Sequence, residues 1–351
     1  MNETMLARLG FVTIITVIVL LLKNVTVPSL AFISVATASS AVLVLTGTFS
    51  LQEMGDFIAE GVKGVHATAA LFIFSVLFFG IMTDVGMFDK IIGALMKKVG
   101  HNVIGVTLMT SIIAMIAHLD GAGAVTDVEI TAGGNVEEQT EAREYARPKL
   151  FWFNLILTLA VIVCLIFVKV PSYYVFMLGC AIALLVNFRG ASLQNKIIKS
   201  HAGPAIMMSS TILCAGVFLG VMEKTGIMNN MATVLAGFVP MSMGRFLPLI
   251  IGVLAVPLTL MFDTDSFFFG LMPVLIEIAG NFGVLPAHIA IVMVVCRNCA
   301  TFISPVVPAT FLGIGLADVE IKDHIKNCFF WIWGVSIVCL LAGLLLGVIK
   351  I

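Results

Sequence analysis

The stretch Met261-Phe262-Asp263-Thr264-Asp265-Ser266 places two carboxylates and two hydroxyls at the end of a long apolar segment. An acidic stretch also ends an apolar segment in the first half of the chain: His118-Leu119-Asp120-Gly121-Ala122-Gly123. In chain order, this is the first acidic stretch and residues 261–266 are the second. An ionisable group at membrane depth costs several kcal/mol, so such groups are rare and mark functional sites. Both stretches are therefore candidate sites, and their surroundings decide the fold.

The composition is that of an integral membrane protein. Of the 351 residues, 60% are hydrophobic and 11% are charged, whereas a soluble domain carries about a quarter charged residues. Continuous apolar runs such as 150–168 and 328–349 are long enough for helices that cross a bilayer. The net charge of −1 does not indicate a nucleic-acid partner, and no basic run suggests one, so none is expected. The composition predicts an all-α polytopic protein in the lipid bilayer of the cell membrane.

The two halves of the chain repeat one another. Four pairs of short motifs recur in the same order and at a nearly constant offset along the chain. The pairs are Val27-Pro28-Ser29 with Val170-Pro171-Ser172, Ser50-Leu51-Gln52 with Ser192-Leu193-Gln194, Phe78-x-Gly80 with Phe218-x-Gly220, and Asp120 with Asp263. Paired acidic sites in an internal repeat are typical of a secondary transporter.

Basic residues in the short loops set the orientation of the repeats. Excess Lys and Arg mark cytoplasmic loops. The basic clusters are Lys90, Lys97 and Lys98; Arg143, Arg147 and Lys149; and Arg189, Lys196 and Lys199. All three reach the cytoplasm if segment 102–117 enters the membrane and returns without crossing it, as a re-entrant hairpin arm does. The two repeats then have inverted topology.

The second repeat is the more complete one. We predict a hairpin at 244–282, a helix at 286–317 broken by Ser304-Pro305-Val306-Val307-Pro308, and a last helix at 328–349. After Asp120 the first repeat has no return arm or broken helix, because the chain passes directly into a polar stretch. The predicted organisation is a truncated first repeat at 1–128, a cytoplasmic linker at 129–149 and a second repeat at 150–351.

The second acidic stretch offers hard oxygen ligands. Asp263 and Asp265, with the hydroxyls of Thr264 and Ser266, suit either a cation or a pair of proton acceptors. The same four residues are also ordinary for a solvated turn between two helices.

The first acidic stretch is poorer in ligands. Gly121 and Gly123 would let a ligand approach the backbone closely around Asp120. The alternative to a binding site here is a simple helix C-cap. His118 is a candidate proton relay or a local hydrogen-bond partner of the aspartate.

Arg297 lies in an otherwise apolar stretch, apart from Asn298. A guanidinium group binds carboxylates through two parallel hydrogen bonds, which suits a polyanionic substrate. A structural ion pair with a buried aspartate is the alternative.

Together these stretches resemble the citrate–metal–proton symporters of the ion-transporter superfamily. The resemblance covers nearly the whole chain except the region after Thr126. The motifs that carry it are His118-Leu119-Asp120-Gly121, Arg147-Pro148-Lys149-Leu150-Phe151-Trp152-Phe153-Asn154, Ser200-His201-Ala202, Asp263 to Gly270, and Ser304-Pro305-Val306-Val307-Pro308-Ala309-Thr310.

The resemblance implies a scaffold with a transport domain, a homodimer, and uptake of citrate complexed with a divalent cation of the Mg or Ca type, driven by protons. It implies no cofactor and no metal site made by protein ligands alone; the cation arrives with the substrate near Asp263 and Asp265. Proton coupling falls to Asp263, Asp265 and His118. The implied substrate site comprises Asp120, Gly121, Gly123, Asp263, Thr264, Asp265, Ser266, Ser304 and Pro305, to which we add Arg297.

Two departures from the family pattern weaken the first half of that site. Ala122 stands where the family tends to have a second acid, and the piece that follows the first tip in the family is missing. Alternatives to a citrate symporter are therefore a transport-incompetent paralogue or partner subunit, and a transporter of another organic anion. No nucleophile–base pair or metal-ligand cluster predicts an enzyme.

Overall fold

A computed structural model describes residues 2–23, 25–88, 90–91, 145–237, 241–260, 262, 264, 266–304 and 320–350. Within these ranges the regular structure is helical and contains no β-strand. The predicted all-α fold is confirmed.

The helices are numbered here in chain order. They are α1 Glu3–Leu22, α2 Pro28–Leu45, α3 Leu51–Asp84, α4 Phe151–Phe167, α5 Ser172–Asn187, α6 Ala191–Lys224, α7 Ile227–Ala236, α8 Leu247–Thr259, α9 Met272–Gly280, α10 Pro286–Cys299 and α11 Ile321–Leu345. Shorter helical pieces are Pro148–Leu150, Met241–Gly244, Ser266–Leu271 and Thr301–Ile303. Helices α2, α8, α9 and α10 each have a proline in the first turn. Proline is favoured there because the N–H that it lacks would have no partner within the helix.

Six helices in the described part of the chain are long and apolar enough to cross a membrane. They are Glu3–Leu21, Pro28–Leu45, Leu51–Asp84, Pro148–Phe167, Ala191–Lys224 and Lys322–Leu345. The prediction of a multi-pass membrane protein is confirmed.

Two helices are much longer than their apolar segments predict. Apolar residues indicate helices at 66–82 and 203–222, but α3 and α6 each contain 34 residues. A capping box starts α3, because the Ser50 N–H donates to Glu53 Oε2 at 2.8 Å and the Glu53 N–H donates to Ser50 Oγ at 3.2 Å. Such a helix spans roughly 50 Å, so its polar end reaches beyond roughly 30 Å of hydrocarbon.

The long helices also match one another position by position. They have equal length, and each is followed two positions later by a glycine, Gly86 after α3 and Gly226 after α6. Both glycines adopt the left-handed backbone conformation, with φ of 73° and 74°. Glycine can end a helix in this conformation without a steric penalty, because it has no Cβ. The correspondence supports the internal repeat; the assignment of 1–128 to a first repeat stays a prediction, because residues 92–144 lie outside the described ranges.

The chain forms two compact units, and each takes helices from both halves of the sequence. Unit 1 is Met1–Gly64 with Leu213–Ile351, and unit 2 is Val65–Ile212. The boundaries therefore fall inside α3 and α6.

Unit 1 contains a hydrophobic core formed by helices from both halves of the sequence. Helix α1 packs on α2 and α7, α7 packs on α9, and α8, α10 and α11 pack together. The Phe32 ring is 5.5 Å from that of Phe218 and 5.8 Å from that of Phe269. Buried hydroxyls of Thr13 and Ser39, 2.7 Å apart, join α1 to α2.

Unit 2 is built around α4, α5 and the adjoining parts of α3 and α6. Asn154 on α4 and Asn187 on α5 exchange two buried amide hydrogen bonds, of 3.0 and 2.8 Å. The rings of Phe78, Phe79 and Phe176 meet edge to face at 5.4 to 5.8 Å. The paired amides satisfy polar groups that would otherwise be costly in an apolar interior.

Glycines bring α3 and α6 into backbone contact within unit 1. A Cβ added to Gly61 would meet the carbonyl oxygen of Gly216 and lie 2.6 Å from the Cα of Gly220. A Cβ on Gly220 would meet the carbonyl of Phe57 and lie 2.8 Å from the Cα of Gly61. Because these are backbone atoms, they cannot move aside as a side chain does. Small residues that let backbones approach are typical of helix pairs in membranes.

Two glycines of α3, Gly61 and Gly64, should differ in how substitution by alanine affects the stability of the protein. We expect Gly61→Ala to destabilise the protein by about 1–3 kcal/mol, since the methyl group overpacks the crossing. The matched control is Gly64→Ala, where an added Cβ has nothing within 4 Å. That change should be neutral or stabilising, because alanine is the better helix former. Thermal unfolding of the purified variants in detergent measures both, and equal stability would contradict the close crossing.

Candidate functional site

The acidic stretch of the second half lies between two elements that pack against the same helix. Helix α8 precedes the stretch, and a π-helical turn at Ser266–Leu271 leads from it into α9. Both α8 and α9 pack against α10. Single π-helical turns are rare and are frequently found at functional sites.

Arg297 occupies the last turn of α10 and is buried, with 3% of its surface exposed. Its Nη2 donates to Thr264 Oγ1 at 2.6 Å, and its Nη1 donates to Thr301 Oγ1 at 3.3 Å. The guanidinium carbon lies 5.5 Å from the centre of the Phe268 ring. The hydrogen bond to Thr264 joins the acidic stretch to the end of α10.

The backbone after α10 is irregular. The helix ends at Cys299, a 3₁₀ turn follows at Thr301–Ile303, and Ser304 is extended, with φ −76° and ψ 125°. An extended residue is expected before Pro305, because proline disfavours the α conformation in the residue that precedes it. The helix thus ends before the predicted break at Ser304.

Ser304 joins this irregular segment to α8 through a hydrogen bond. It is buried, and its hydroxyl donates to the Thr259 carbonyl at 2.7 Å. Thr259 is the last residue of α8, where carbonyl groups lack a partner within the helix. Irregular backbone is tolerated at membrane depth only where protein buries it or it lines a cavity.

The structure therefore brings Thr264 and Arg297 into contact and places Ser304 against the end of α8. Ser266 belongs to the π-helical turn. The other predicted site residues lie outside the described residues: His118, Asp120, Gly121, Gly123, Asp263, Asp265 and Pro305.

Sequence reasoning missed two contacts of the guanidinium group. Thr301 lies four residues after Arg297, and Phe268 lies four residues after Thr264. Residues four apart share a helix face, so this spacing was a usable signal. A run of three phenylalanines in an apolar segment is expected to pack or to face lipid, whereas Phe268 lies 5.5 Å from the guanidinium carbon of Arg297.

This arrangement is suited to binding an anion. A guanidinium group has five donors in a fixed plane, and two carboxylate oxygens match that geometry. Removal of the group from water carries a cost that good hydrogen-bond geometry must offset. The hydroxyls of Thr264 and Thr301 and the face of Phe268 supply part of this compensation.

Membrane-spanning helices, two matching long helices and a buried cationic group at the end of α10 define the class of protein. It is a polytopic helical protein built like a secondary transporter.

The comparisons with known proteins agree with this class. The chain is 28% identical over 431 positions to the "Citrate transporter" of Bacillus subtilis (strain 168), covering 99% of the chain and 100% of the relative. It is 27% identical over 436 positions to the "Mg(2+)/citrate complex secondary transporter" of the same organism, with the same coverage. A third relative, 24% identical over 446 positions with the same coverage, is the "Uncharacterized transporter YraO" of that organism. No family model matches the chain.

These relatives confirm the resemblance to the citrate–metal–proton symporters. Together with the membrane-spanning helices, they confirm the prediction of a multi-pass transport protein of the cell membrane.

The relatives contain residues that have no counterpart in this chain. The alignment with the first of them runs over 431 positions, whereas the chain itself has 351 residues. Because the alignment covers nearly all of both proteins, the additional residues of the relative fall inside the aligned region rather than at its ends.

The hydrogen bond between Ser304 and Thr259 can be tested by mutation. We expect Ser304→Ala to lower the free energy of unfolding by about 1–3 kcal/mol, since it leaves a buried carbonyl short of a donor. The matched control is Ser210→Ala, whose exposed hydroxyl donates only to the Met207 carbonyl in its own helix. Thermal unfolding in detergent measures both variants. Equal melting temperatures would contradict the assigned role of Ser304.

Proposed function

We propose that this chain is a secondary active transporter that carries citrate across the cytoplasmic membrane by symport with protons. Citrate travels as a complex with a divalent cation of the Mg or Ca type. The observation that carries the proposal is the buried guanidinium group of Arg297, joined to the acidic stretch through Thr264. The two relatives named as citrate transporters support the choice of substrate.

The chemistry of the complex fits this arrangement. Citrate presents several carboxylates, and a divalent cation cancels much of their charge before the molecule enters an apolar environment. Arg297 takes a free carboxylate through paired hydrogen bonds. Asp263 and Asp265 supply oxygen ligands to the cation that citrate brings, or accept the coupling protons.

The first half of the chain completes the proposed site. Asp120, Gly121 and Gly123 approach the substrate from the opposite repeat, and His118 relays protons. Ser266, Ser304 and Pro305 belong to the same site in the second half. Two inverted repeats and a homodimer are part of the proposal, on the resemblance to the symporter family.

In this proposal, the Thr264 hydroxyl occupies the guanidinium group of Arg297 until the substrate binds. In the structure Thr264 accepts a hydrogen bond from Nη2 of Arg297 at 2.6 Å. A substrate carboxylate replaces the Thr264 hydroxyl as the acceptor of the hydrogen bond from Nη2. The acidic stretch is then no longer bonded to α10 through Thr264 and can move relative to it. Loading is thereby linked to the conformational change that alternating access requires.

A second candidate is a shortened paralogue that does not transport, or that serves as a partner subunit. The shorter length of this chain relative to its aligned relatives favours this candidate, because we place the missing piece after residue 126, in the first repeat. Transport of another organic anion is the third candidate.

Arg297 can be tested by uptake of labelled citrate into proteoliposomes, with Mg²⁺ and an inward proton gradient. Loss of one charge-assisted interaction costs about 1.5–3 kcal/mol, which corresponds to an increase of about 10- to 100-fold in the KM for citrate. We expect this increase for Arg297→Gln and a smaller one for Arg297→Lys, which keeps the charge but loses the planar fork.

The matched control is Arg245→Gln, because Arg245 is exposed and lies over the Phe246 ring at 4.7 Å. Its KM should equal that of the wild-type protein. An unchanged KM in Arg297→Gln would contradict the proposed site. Absence of uptake by the wild-type protein under every gradient would favour the non-transporting paralogue.

The acidic stretch and the cation give a separate prediction. Asp263→Asn should abolish uptake, whereas Asp323→Asn, at an exposed residue in the first turn of α11, should not. A chelator of divalent cations should reduce uptake by wild-type protein in proportion to the fraction of free citrate. Faster uptake of metal-free citrate would rule out the metal complex as the transported species.

A further inference from the structure

Asp84 and His201 form an ion-pairing contact in unit 2 that the proposed site does not use. Asp84 is the last residue of α3, and His201 lies in the first third of α6. Nε2 of His201 is 2.8 Å from Oδ2 of Asp84, and only 20% and 15% of the two side chains are exposed. Ionisable side chains enclosed by membrane-spanning helices are functional candidates.

The absence of a side chain at Gly80 makes room for the imidazole. A Cβ at Gly80 would lie 2.5 Å from Nδ1 of His201 and 2.7 Å from Cε1. The ring therefore occupies the position that any other residue at 80 would fill with its own side chain. This packing holds Nε2 towards Asp84.

The repeat supplies an internal comparison. When α3 and α6 are aligned from their first residues, Gly80 corresponds to Gly220, His201 to Gly61, and Asp84 to Lys224. In unit 1 the same helix crossing is a direct contact between glycines. The imidazole of unit 2 is thus an addition to the shared packing rather than a requirement of it.

The charged pair of unit 1 is of a different kind. Lys224 Nζ lies 2.7 Å from Glu60 Oε2, with 40% and 57% of the side chains exposed. Amine and carboxylate groups of this type stay charged throughout the physiological pH range. Imidazole alone has an ordinary titration range within it, so the pair in unit 2 is the one able to gain or lose a proton.

Other charged groups lie on the described elements of unit 2. Lys90 lies over the Phe151 ring at 4.4 Å, Arg147 over the Phe188 ring at 5.6 Å, and Lys196 Nζ is 2.6 Å from the Tyr145 hydroxyl. Lys149 and Lys199 are exposed. Helices α4 and α5 of the same unit contain no Asp, Glu, Lys, Arg or His.

We propose that the Asp84–His201 pair is a proton-binding site, distinct from the acidic stretches, and that transport responds to pH through it. With one proton on Nε2, directed to the Asp84 carboxylate, the pair carries a charge of −1. A second proton, bound at Nδ1, converts the ring to an imidazolium and the pair to net zero; its release reverses the change. The coupling role rests on the proposed transport function, whereas the proton-binding role does not.

A spectroscopic titration tests proton binding without any transport. The chain has six histidines, so the ¹³Cε1 signal of His201 in labelled protein can be assigned by its loss in His201→Gln. We expect that signal to change with pH as the ring binds and releases its second proton. Asp84→Asn should alter this response, because it removes the carboxylate that contacts Nε2. A signal that stays constant from about pH 5 to 8, or a response unaffected by Asp84→Asn, would overturn the proposal.

Uptake as a function of pH tests the coupling role. His201→Gln and Asp84→Asn should both change the pH dependence of uptake from that of the wild-type protein, while the dependence that arises from the acidic stretches remains. His288→Gln should keep the wild-type profile. A wild-type profile in His201→Gln would overturn the coupling role even if the residue titrates.

Packing variants separate proton binding from loss of fold. Gly80→Ala should displace the ring from Asp84, so that Asp84→Asn no longer affects the pH response of the His201 signal. Gly203→Ala, on the same helix as His201, has nothing within 4 Å of its added Cβ and should leave that response and its dependence on Asp84 unchanged. If Asp84→Asn still alters the response in the Gly80→Ala protein, the assigned geometry is wrong.

Discussion

A guanidinium group buried among apolar helices must be satisfied by protein, and this requirement organises the second half of the chain. The hydroxyls of Thr264 and Thr301 and the ring of Phe268 meet part of it for Arg297. Its contacts draw the acidic stretch to the end of α10, and the Ser304–Thr259 hydrogen bond holds the irregular backbone to α8. The end of α10 and the buried charge therefore depend on one another. A regular helix through this point would remove the turn that carries Thr301 towards the guanidinium group.

The long helices impose a second constraint, because α3 and α6 each contribute to both compact units. Glycines set how closely they pack: backbone meets backbone at Gly61 and Gly220, whereas Gly80 accommodates the ring of His201. The same repeat position thus holds a simple crossing in one unit and a titratable pair in the other. An internal repeat permits this divergence, since one copy retains the packing while the other acquires chemistry.

Much of the fold could be predicted from apolar segments and prolines, because desolvation and the missing proline N–H act locally. Pro28 and Pro286 mark helix starts that the structure shows in the same places. The length of α3 was missed, because its first turns are polar and depend on the capping box at Ser50 and Glu53. Arg297 was predicted as a site residue on its isolated charge alone. Its partners could not be ranked in advance, because a contact such as that with Thr264 depends on how distant segments fold together.

The central claim is that Arg297 and the acidic stretch bind citrate as a complex with a divalent cation. Isothermal titration calorimetry of Mg–citrate into the purified protein tests this claim without requiring a complete transport cycle. Saturable binding by wild-type protein, at least about tenfold weaker in Arg297→Gln and unchanged in Arg245→Gln, is the predicted result. Equal affinity of wild-type protein and Arg297→Gln for Mg–citrate, or no binding by the folded wild-type protein, would contradict it.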